Sequence, residues 1–269
     1  MNPLLLPYVR RVPVLPAAAP DFATPLGPLA FTAELDGAAL PGQPDRLWRL
    51  PSGALVARWS GPGTELELLV TGYAPEPVDF ARPAEGACGA LWCLRTRREL
   101  RRPVFTAALT GPPPGTSAGY NGTQGVAALE IVGGGFEFTL SGDDPETICG
   151  RADGDPDVPT RWAGYREAVY RDALDWGEQY LYERCALRWT LPGLLPGEHV
   201  LLPASAAWLR TAPATAPATA PDAEGDGAAW WGALTHPDAI LAAAAAGVPE
   251  PPGALRRNGT RRAARIGPA

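Results

Sequence analysis

The chain contains no lysine, so all 23 of its basic residues are arginine. Methionine is also rare and occurs only at position 1. We interpret this bias as the composition of a GC-rich genome, with selection of arginine for bidentate contacts as the alternative. The net charge of −6 gives no reason to expect a nucleic-acid partner. Arginine is concentrated locally at 95–102 and 256–265, and the first cluster predicts either a charged loop or edge strand or a phosphate site.

Metal-binding and membrane-spanning patterns are also missing. The chain has no Cys-x-x-Cys pair, and its two histidines lack zinc-ligand spacing. The cysteines are therefore expected to be free thiols in a reducing compartment. No stretch approaches the roughly 18 apolar residues of a membrane helix, and prolines interrupt the Leu-rich start. We expect an intracellular protein that is not secreted and has neither a metal site nor a membrane partner.

Glycine and proline are abundant, with 31 and 32 residues, which favours short strands joined by turns over a helical bundle. Apolar and polar residues alternate with the period of a strand in a series of stretches: 29–35, 54–59, 64–70, 89–94, 104–109, 125–132 and 136–140. Such a series predicts a mainly β domain, folded as a sandwich or a barrel.

The spacing changes to that of a helix after residue 160. Large apolar residues recur every three or four positions from Trp162 to Tyr180, which predicts one amphipathic helix over about 160–185 with Thr160 as its N-cap. Residues 188–191 and 199–202 are then predicted to form a further hairpin.

These patterns divide the chain into four regions. An extended, proline-rich arm at 1–20 precedes the β domain at 21–210. The Thr-Ala-Pro repeat in 211–229 cannot form a core and is predicted to be an extended linker. Residues 230–269 contain Trp230 and Trp231, a short alanine-rich helix near 236–246 and a basic tail that we expect to be mobile. The tryptophan pair is either an anchor for a protein partner or packs back onto the main domain.

A glycine–tyrosine segment is the first candidate for a functional site. Gly119-Tyr120-Asn121-Gly122-Thr123 lies between two predicted strands, and a tyrosine held on such a turn can place its ring against a sugar or a base. Asn121-Gly122 is equally typical of an ordinary β-hairpin. Hydrolysis here would need a carboxylate to activate water, but Ser117 and Ala118 occupy the places where one would be expected.

The stretch 80–131 resembles the herpesvirus dUTPases and dUTPase-related proteins. It contains Ala81-Arg82-Pro83-Ala84-Glu85-Gly86 before one strand and Gly119-Tyr120-Asn121-Gly122 before a later one, in the order of that family's motifs. The resemblance implies a dUTPase-like β domain in which Gly119, Tyr120 and Gly122 hold a nucleotide, with the Tyr120 ring packed on the deoxyribose. Ser117 stands where the family has its water-positioning aspartate.

The family's phosphate motif has only a partial match, Gly150-Arg151, which makes Arg151 the implied phosphate ligand. The C-terminal arm that closes over the phosphates in the family has no match in 256–269. These departures favour a dUTPase-related protein without catalysis, acting as a virion or host-factor-binding protein in the nucleus or cytoplasm of the host cell. The resemblance also implies a monomer.

Two alternatives remain open from the sequence. One is an active dUTPase that uses Mg²⁺ and activates water with Asp143, Asp144, Asp153 or Asp155. The other is an unrelated β-sandwich adaptor. By themselves these acids predict a solvated loop, because the twelfth position of a calcium loop beginning at Asp153 would be Gly164 and not a glutamate.

Overall fold

The structure is a computed structural model, and it describes residues 4–15, 18–75, 83–121, 125–166, 179–211 and 237–246. Strands β1 to β9 are Val12–Val14, Asp21–Thr24, Gly27–Leu35, Ala38–Ala39, Arg46–Arg49, Leu55–Gly61, Thr64–Tyr73, Gly86–Thr96 and Pro103–Leu109. Strands β10 to β15 are Ser117–Tyr120, Val126–Gly133, Phe136–Asp143, Tyr180–Leu181, Ala186–Thr190 and His199–Arg210. Helix α1 is Pro145–Arg151, helix α2 is Pro237–Ala245, and short 3-10 helices span Thr160–Tyr165 and Tyr182–Arg184.

Two antiparallel sheets pack face to face as a β-sandwich, which confirms the predicted mainly β fold. The larger sheet has nine strands in the order β1-β5-β6-β7-β8-β15-β12-β11-β10. The smaller sheet has the order β13-β14-β9-β3-β2, with β4 paired to β3. We call the face of the larger sheet that points toward the smaller sheet its inner face, and the opposite face its outer face.

The core between the sheets is built from side chains that alternate along the strands. Trp92 of β8 lies at its centre and is 1% exposed. Its ring centroid lies 5.7 Å from that of Phe31, 5.4 Å from that of Phe105 and 5.9 Å from that of Trp189, which belong to three strands of the smaller sheet. Aromatic packing across the layers therefore holds the two sheets together.

A second apolar layer covers the outer face of the larger sheet. Residues 4–15, which we call the N-terminal segment, bury Leu5, Leu6 and Val9 there, and strand β1 of this segment pairs with β5. Helix α2 buries Ile240 and Ala244 in the same layer. The described part of the predicted N-terminal arm and the predicted short helix thus both pack on the β domain.

Glu67 is a fully buried carboxylate on the outer face, beneath the N-terminal segment. Its side chain is 0% exposed. Its Oε2 atom accepts hydrogen bonds from the backbone amides of Leu4 (3.0 Å) and Leu5 (2.8 Å). Arg11 donates to both carboxylate oxygens, at 3.2 and 3.1 Å, and Arg58 donates to Oε1 at 3.4 Å. The carboxylate therefore joins the N-terminal segment to the sheet.

The positions of the predicted strands are confirmed, because a strand occurs at each alternating stretch between 29 and 140. The predicted alanine-rich helix near 236–246 corresponds to α2. In the described ranges, no helix is both long enough and apolar enough to cross a membrane.

The predicted helix over 160–185 is wrong at both of its described ends. Residues 160–165 form a 3-10 helix whose start has no side-chain cap, so Thr160 is not an N-cap. Tyr180 belongs to β13, which pairs with β14. The helical spacing was misleading because its apolar residues belong to different elements. Trp162 is buried in the core, whereas Tyr180 lies on β13, an edge strand of the smaller sheet. Residues 167–178 lie outside the described residues.

The hairpin predicted from 188–191 and 199–202 is also wrong. β14 pairs with β9 in the smaller sheet, whereas β15 pairs with β8 and β12 in the larger one. The connection crosses between the sheets and is fixed by Leu194, whose amide donates to the carbonyl of Leu100 at 2.7 Å. Alternation shows which residues of a strand face the core, but not which sheet the strand joins.

Candidate functional site

Strand β10, at the edge of the larger sheet, carries three residues of the predicted nucleotide site: Ser117, Gly119 and Tyr120. β10 pairs along its whole length with β11, and the amide of Asn121 continues this pairing at 3.1 Å. Gly119 and Tyr120 are therefore strand residues, and their predicted place in a turn is wrong. The long β11 provides partners as far as Asn121, so the turn begins later; Gly122 lies outside the described residues.

Ser117 and Tyr120 point to opposite faces of β10. Side chains alternate along an extended strand, so residues three apart face opposite sides. Ala118 packs against the core between the sheets, and Tyr120, two residues on, shares that side. Ser117 and Gly119 face the other side and are exposed. The serine at the family's water-positioning place therefore does not face the tyrosine ring.

Tyr120 packs instead against Tyr180 of the smaller sheet, which in turn packs against Tyr182 of the 3-10 helix that follows. The ring centroid of Tyr120 lies 4.9 Å from that of Tyr180 in an edge-to-face arrangement, and Tyr180 stacks on Tyr182 at 6.2 Å. We call these three side chains the tyrosine edge, because β10 and β13 are the edge strands of their two sheets. Tyr120 is 57% exposed and Tyr182 is 44% exposed, whereas Tyr180 is half-buried.

The Asp144 carboxylate lies close enough to the tyrosine edge to affect the pKa of Tyr180. Burial raises the pKa of the Tyr180 hydroxyl, and the neighbouring Tyr120 and the Asp144 carboxylate raise it further. The rings offer apolar faces and hydroxyl groups, which suit stacking on a sugar or base or packing in a protein interface. A nearby carboxylate disfavours the phosphate groups of a nucleotide.

Arg151, the predicted phosphate ligand, is 9% exposed and is held by other groups of the protein. Its Nη1 atom donates to Asp143 at 2.6 Å, its Nε atom donates to Asp155 at 3.0 Å, and its Nη2 atom donates to the carbonyl of Leu201 at 3.0 Å. Burial alone would lower the pKa of Arg151, but the two carboxylates raise it above its usual value. The structure thus uses Arg151 to fix the end of α1 to β12 and β15.

The acids considered for water activation have mostly structural roles. Asp143 and Asp155 pair with Arg151. Asp144 caps α1 by accepting the backbone amide of Thr147 at 2.7 Å, and it also accepts the amide of Gly125 at 3.0 Å. Asp153 and Asp155 line a surface cavity of about 470 Å³ beside α1. Within the described ranges, no three His, Cys, Asp or Glu side chains are grouped so that they could hold a metal ion.

The arginine cluster at 95–102 lies at the end of β8 and in the loop that follows. β8 has neighbours on both sides, so the edge-strand alternative is wrong, whereas the charged loop is confirmed. Arg98 donates to Asp36 at 2.7 Å, and the amide of Arg101 donates to the same carboxylate at 2.8 Å. The hydrogen bond from Arg98 is the main reason that the pKa of Asp36 lies below its usual value.

The sequence did not predict Tyr180 and Tyr182 as site residues. Tyr180-Leu181-Tyr182 has the period of a strand, and this was the available signal, but the helical spacing from Trp162 obscured it. Trp230 and Trp231, predicted as a partner anchor, lie outside the described residues.

No protein-family model matches the chain, and no curated protein matches it. Among solved structures, a protein from the human microbiome that is named as a kojibiose phosphorylase matches with a TM-score of 0.38 and 7% sequence identity. The match covers 74% of this chain but 25% of that protein, so this chain spans about a quarter of its length. Similarity at this level carries no argument about function.

Proposed function

We propose that this chain is a herpesvirus dUTPase-related protein that does not hydrolyse nucleotides and binds a protein partner through the tyrosine edge. It would act as a monomer inside the host cell, in the nucleus or the cytoplasm. The observation that carries the proposal is that Ser117 and Tyr120 point to opposite faces of β10. In a dUTPase-like reaction, the group at position 117 would hold a water beside a nucleotide stacked on Tyr120, and a serine on the other face does not meet this requirement.

The contacts of Arg151 support the same proposal. A phosphate bound to Arg151 would lie beside two carboxylates, which pair with its guanidinium at 2.6 and 3.0 Å. Like charges at such short distances repel. A tightly paired arginine of this kind is better suited to hold the fold together than to bind a substrate phosphate.

A protein partner suits the tyrosine edge better than a nucleotide does. Tyrosine is one of the residues that contribute most to protein interfaces, because its ring buries a large area and its hydroxyl forms hydrogen bonds. Two of the three rings are substantially exposed, at 57% and 44%. The Asp144 carboxylate acts on Tyr180 strongly enough to raise the pKa of its hydroxyl, and a negative charge at this place disfavours a triphosphate.

The first experiment is a nucleotide assay on the purified full chain. We expect no conversion of dUTP to dUMP and pyrophosphate above the buffer blank, with or without Mg²⁺. Calorimetry with dUTP, dUMP and dTTP measures nucleotide binding in parallel. Tyr8→Ala is the matched control for Tyr120→Ala, since both rings are 57% exposed. Hydrolysis that is lost in Tyr120→Ala and kept in Tyr8→Ala would show an active dUTPase and overturn the proposal.

The second experiment tests the partner. A photo-crosslinking phenylalanine at position 120, and separately at position 8, would be irradiated in an extract of host cells. We expect a protein adduct from position 120 that excess unlabelled chain suppresses, and no such adduct from position 8. Equal labelling from both positions would contradict a specific interface at the tyrosine edge.

A further inference from the structure

Strand β10 ends the larger sheet, so one of its two sides has no neighbouring strand within the described ranges. The amide of Asn121 donates to the carbonyl of Ala128, which fixes the alternation of the pairing with β11. In an antiparallel pair every second residue exchanges hydrogen bonds with the partner strand, and the residues between them point their backbone groups away from it. The amides and carbonyls of Ala118 and Tyr120 therefore point toward the free side of β10. Among the described residues, no other segment is hydrogen-bonded to these groups.

Of the described strands that end the two sheets, β10 is the least protected. Edge strands are commonly protected by proline, by charged side chains or by being very short. β1 contains Pro13, β2 begins with Asp21, and β13 has two residues. β10 has four residues, Ser-Ala-Gly-Tyr, without proline or charge, and Ser117, Gly119 and Tyr120 are exposed. An exposed edge of this kind suits the addition of another strand.

The outer face beside β10 indicates the charge of a strand that would fit. Gly119 lies directly opposite Glu130 of β11, so the two residues share this face. A Cβ atom at Gly119 would meet nothing within 4 Å, and its backbone is not left-handed, so the described fold does not require glycine there. The half-buried Glu130 carboxylate accepts a hydrogen bond from the Asn121 side chain at 3.4 Å. Because neighbouring strands lie about 4.8 Å apart, an arginine on an added strand can extend across the glycine to this carboxylate.

We propose that the partner at the tyrosine edge adds an extended segment to β10 as a further strand, and that this segment carries a basic side chain beside Gly119. The backbone of the segment would pair with the amides and carbonyls of Ala118 and Tyr120. Its side chains on the inner face would pack beside the exposed Tyr120 ring, and the basic side chain on the outer face would pair with Glu130. This inference rests on the proposed function, because it states how the partner of the tyrosine edge binds.

A second copy of this chain fits the free side of β10 less well than a basic segment does. Residues 117–121 contain no arginine, so β10 of another copy brings no positive charge to Glu130. It would instead bring a second Glu130 carboxylate to the outer face of the joined sheet, and like charges repel. The charge of this face therefore favours a different protein as the source of the added strand.

The test uses the full chain and two fluorescein-labelled peptides in which valine and threonine alternate. The central threonine is replaced by arginine in one peptide and by glutamate in the other. Fluorescence anisotropy measures their affinity for the wild-type chain and for Ala118→Pro, which removes an amide on the free side and keeps the bonds to β11. Ala23→Pro is the matched control, because Ala23 is an exposed alanine on the edge strand β2. It lies opposite Pro28, whose carbonyl accepts from Thr110 on the other side, so the Ala23 amide also points away from its neighbouring strand.

We expect the wild-type and Ala23→Pro chains to bind the arginine peptide about five-fold more tightly than the glutamate peptide. Ala118→Pro should weaken binding of the arginine peptide by about ten-fold or more, because the added strand loses a hydrogen bond and meets the proline ring. Glu130→Gln should remove the difference between the two peptides. Equal binding of the arginine peptide to the wild-type and Ala118→Pro chains, or equal binding of both peptides to the wild-type chain, would overturn the proposal.

Amide hydrogen exchange, measured by NMR, locates the bound peptide on the wild-type chain. Saturation with the arginine peptide should slow exchange of the Ala118 and Tyr120 amides, which point to the free side. Exchange of the Gly119 amide, which already pairs with β11, should change much less. This measurement needs no substitution, so it decides the question even if circular dichroism shows that Ala118→Pro does not fold. Unchanged exchange at both Ala118 and Tyr120 would overturn the proposal.

Photo-crosslinking from position 120 in host-cell extract separates this inference from the proposed function. We expect the adduct to be lost in Ala118→Pro and kept in Ala23→Pro. An adduct that persists in Ala118→Pro would overturn strand addition and leave the tyrosine edge as an interface. If no chain gives an adduct, the proposed function fails, whereas slowed exchange at Ala118 would still support strand addition to β10.

Sedimentation tests a second copy of the chain as the occupant. A wild-type chain that dimerises with increasing concentration, with the dimer lost in Ala118→Pro, would overturn the proposal of a partner segment. A wild-type chain that stays monomeric supports it.

Discussion

Glu67 is the group on which the packing of the N-terminal segment depends most directly, and Glu67→Gln tests this dependence. The substitution keeps the shape of the side chain and removes its charge. In the native protein both carboxylate oxygens accept hydrogen bonds, Oε2 from backbone amides and Arg11, and Oε1 from Arg11 and Arg58. The amide nitrogen of glutamine would therefore face a donor in either orientation.

The expected cost follows from the burial of the group. Glu67 is 0% exposed, and the side chain of Arg11 is 9% exposed, so the pair is largely shielded from water. Removing one partner of a buried ion pair costs about 3–5 kcal/mol because the other charge stays buried and uncompensated. At about 2–4 °C per kcal/mol for a domain of this size, a loss of about 3 kcal/mol lowers the Tm by about 10 °C.

The assay combines thermal unfolding with the labelling of single thiols. Cys93 lies directly opposite Glu67 on β8, and burial raises the pKa of its thiol to about 12, with the charge of Glu67 adding to the shift. If Glu67→Gln releases the N-terminal segment, a maleimide reagent should modify Cys93 before it modifies Cys88, which lies in the core between the sheets. Quantitative peptide mapping measures the two rates in one sample.

Glu65→Gln is the matched control, because Glu65 lies on the same strand and the same face. Its side chain is 18% exposed and pairs with Arg58 at 3.0 Å. We expect a loss of about 1 kcal/mol or less, as for more exposed ion pairs. Equal losses in the two variants, or simultaneous labelling of both thiols in Glu67→Gln, would refute the reasoning.

Three further substitutions test other contacts. Arg151→Ala should lower the free energy of unfolding by about 3 kcal/mol in a urea titration, since it leaves two partly buried carboxylates without their partner; an unchanged value would contradict a structural role. Asp36→Asn should lower the free energy of unfolding at neutral pH, because Arg98 holds the folded pKa of Asp36 below 3.8. This stabilisation is present above pH 3.8 and is lost as the pH falls through the folded pKa. The difference in stability between the two chains should therefore disappear in acid. Gly142→Ala should cost about 1–3 kcal/mol and shift the emission of Trp189, whose Cζ2 atom would lie 2.5 Å from the new Cβ; a native spectrum would contradict this contact.

The sequence was sufficient to locate the strands, because alternation is a local property. It was not sufficient to place Glu67. In 64–70 the alternation puts Glu67 on the side opposite to Leu66 and Leu68, where a two-layer sandwich would expose it. The structure buries it because the N-terminal segment, more than 50 residues earlier in the chain, covers that side. A contact of this kind leaves no periodic signal in either segment.

The candidate site was predicted in part, and the error in its predicted conformation has a physical cause. Tyr120 was predicted to place its ring against a sugar or a base, and its ring is 57% exposed. Its conformation, however, was predicted from Asn121-Gly122 as a turn. Pairing with β11 extends the strand as far as Asn121. In this extended strand Ser117 lies on the face opposite to Tyr120. The three-residue spacing that suggested a shared pocket therefore separates the two side chains. Short turn motifs do not reveal how far the neighbouring strands remain paired.

The position of the tyrosine edge suggests which of its rings serve the fold and which are available for binding. Edge strands need protection, because their unpaired backbone groups can recruit other strands. Tyr180 is half-buried and touches both of the other rings, so it closes the end of the sandwich between β10 and β13. Tyr120 and Tyr182 lie on either side of it and keep much of their surface exposed. Folding therefore accounts for the central ring, whereas the exposure of the outer two is what a binding surface requires.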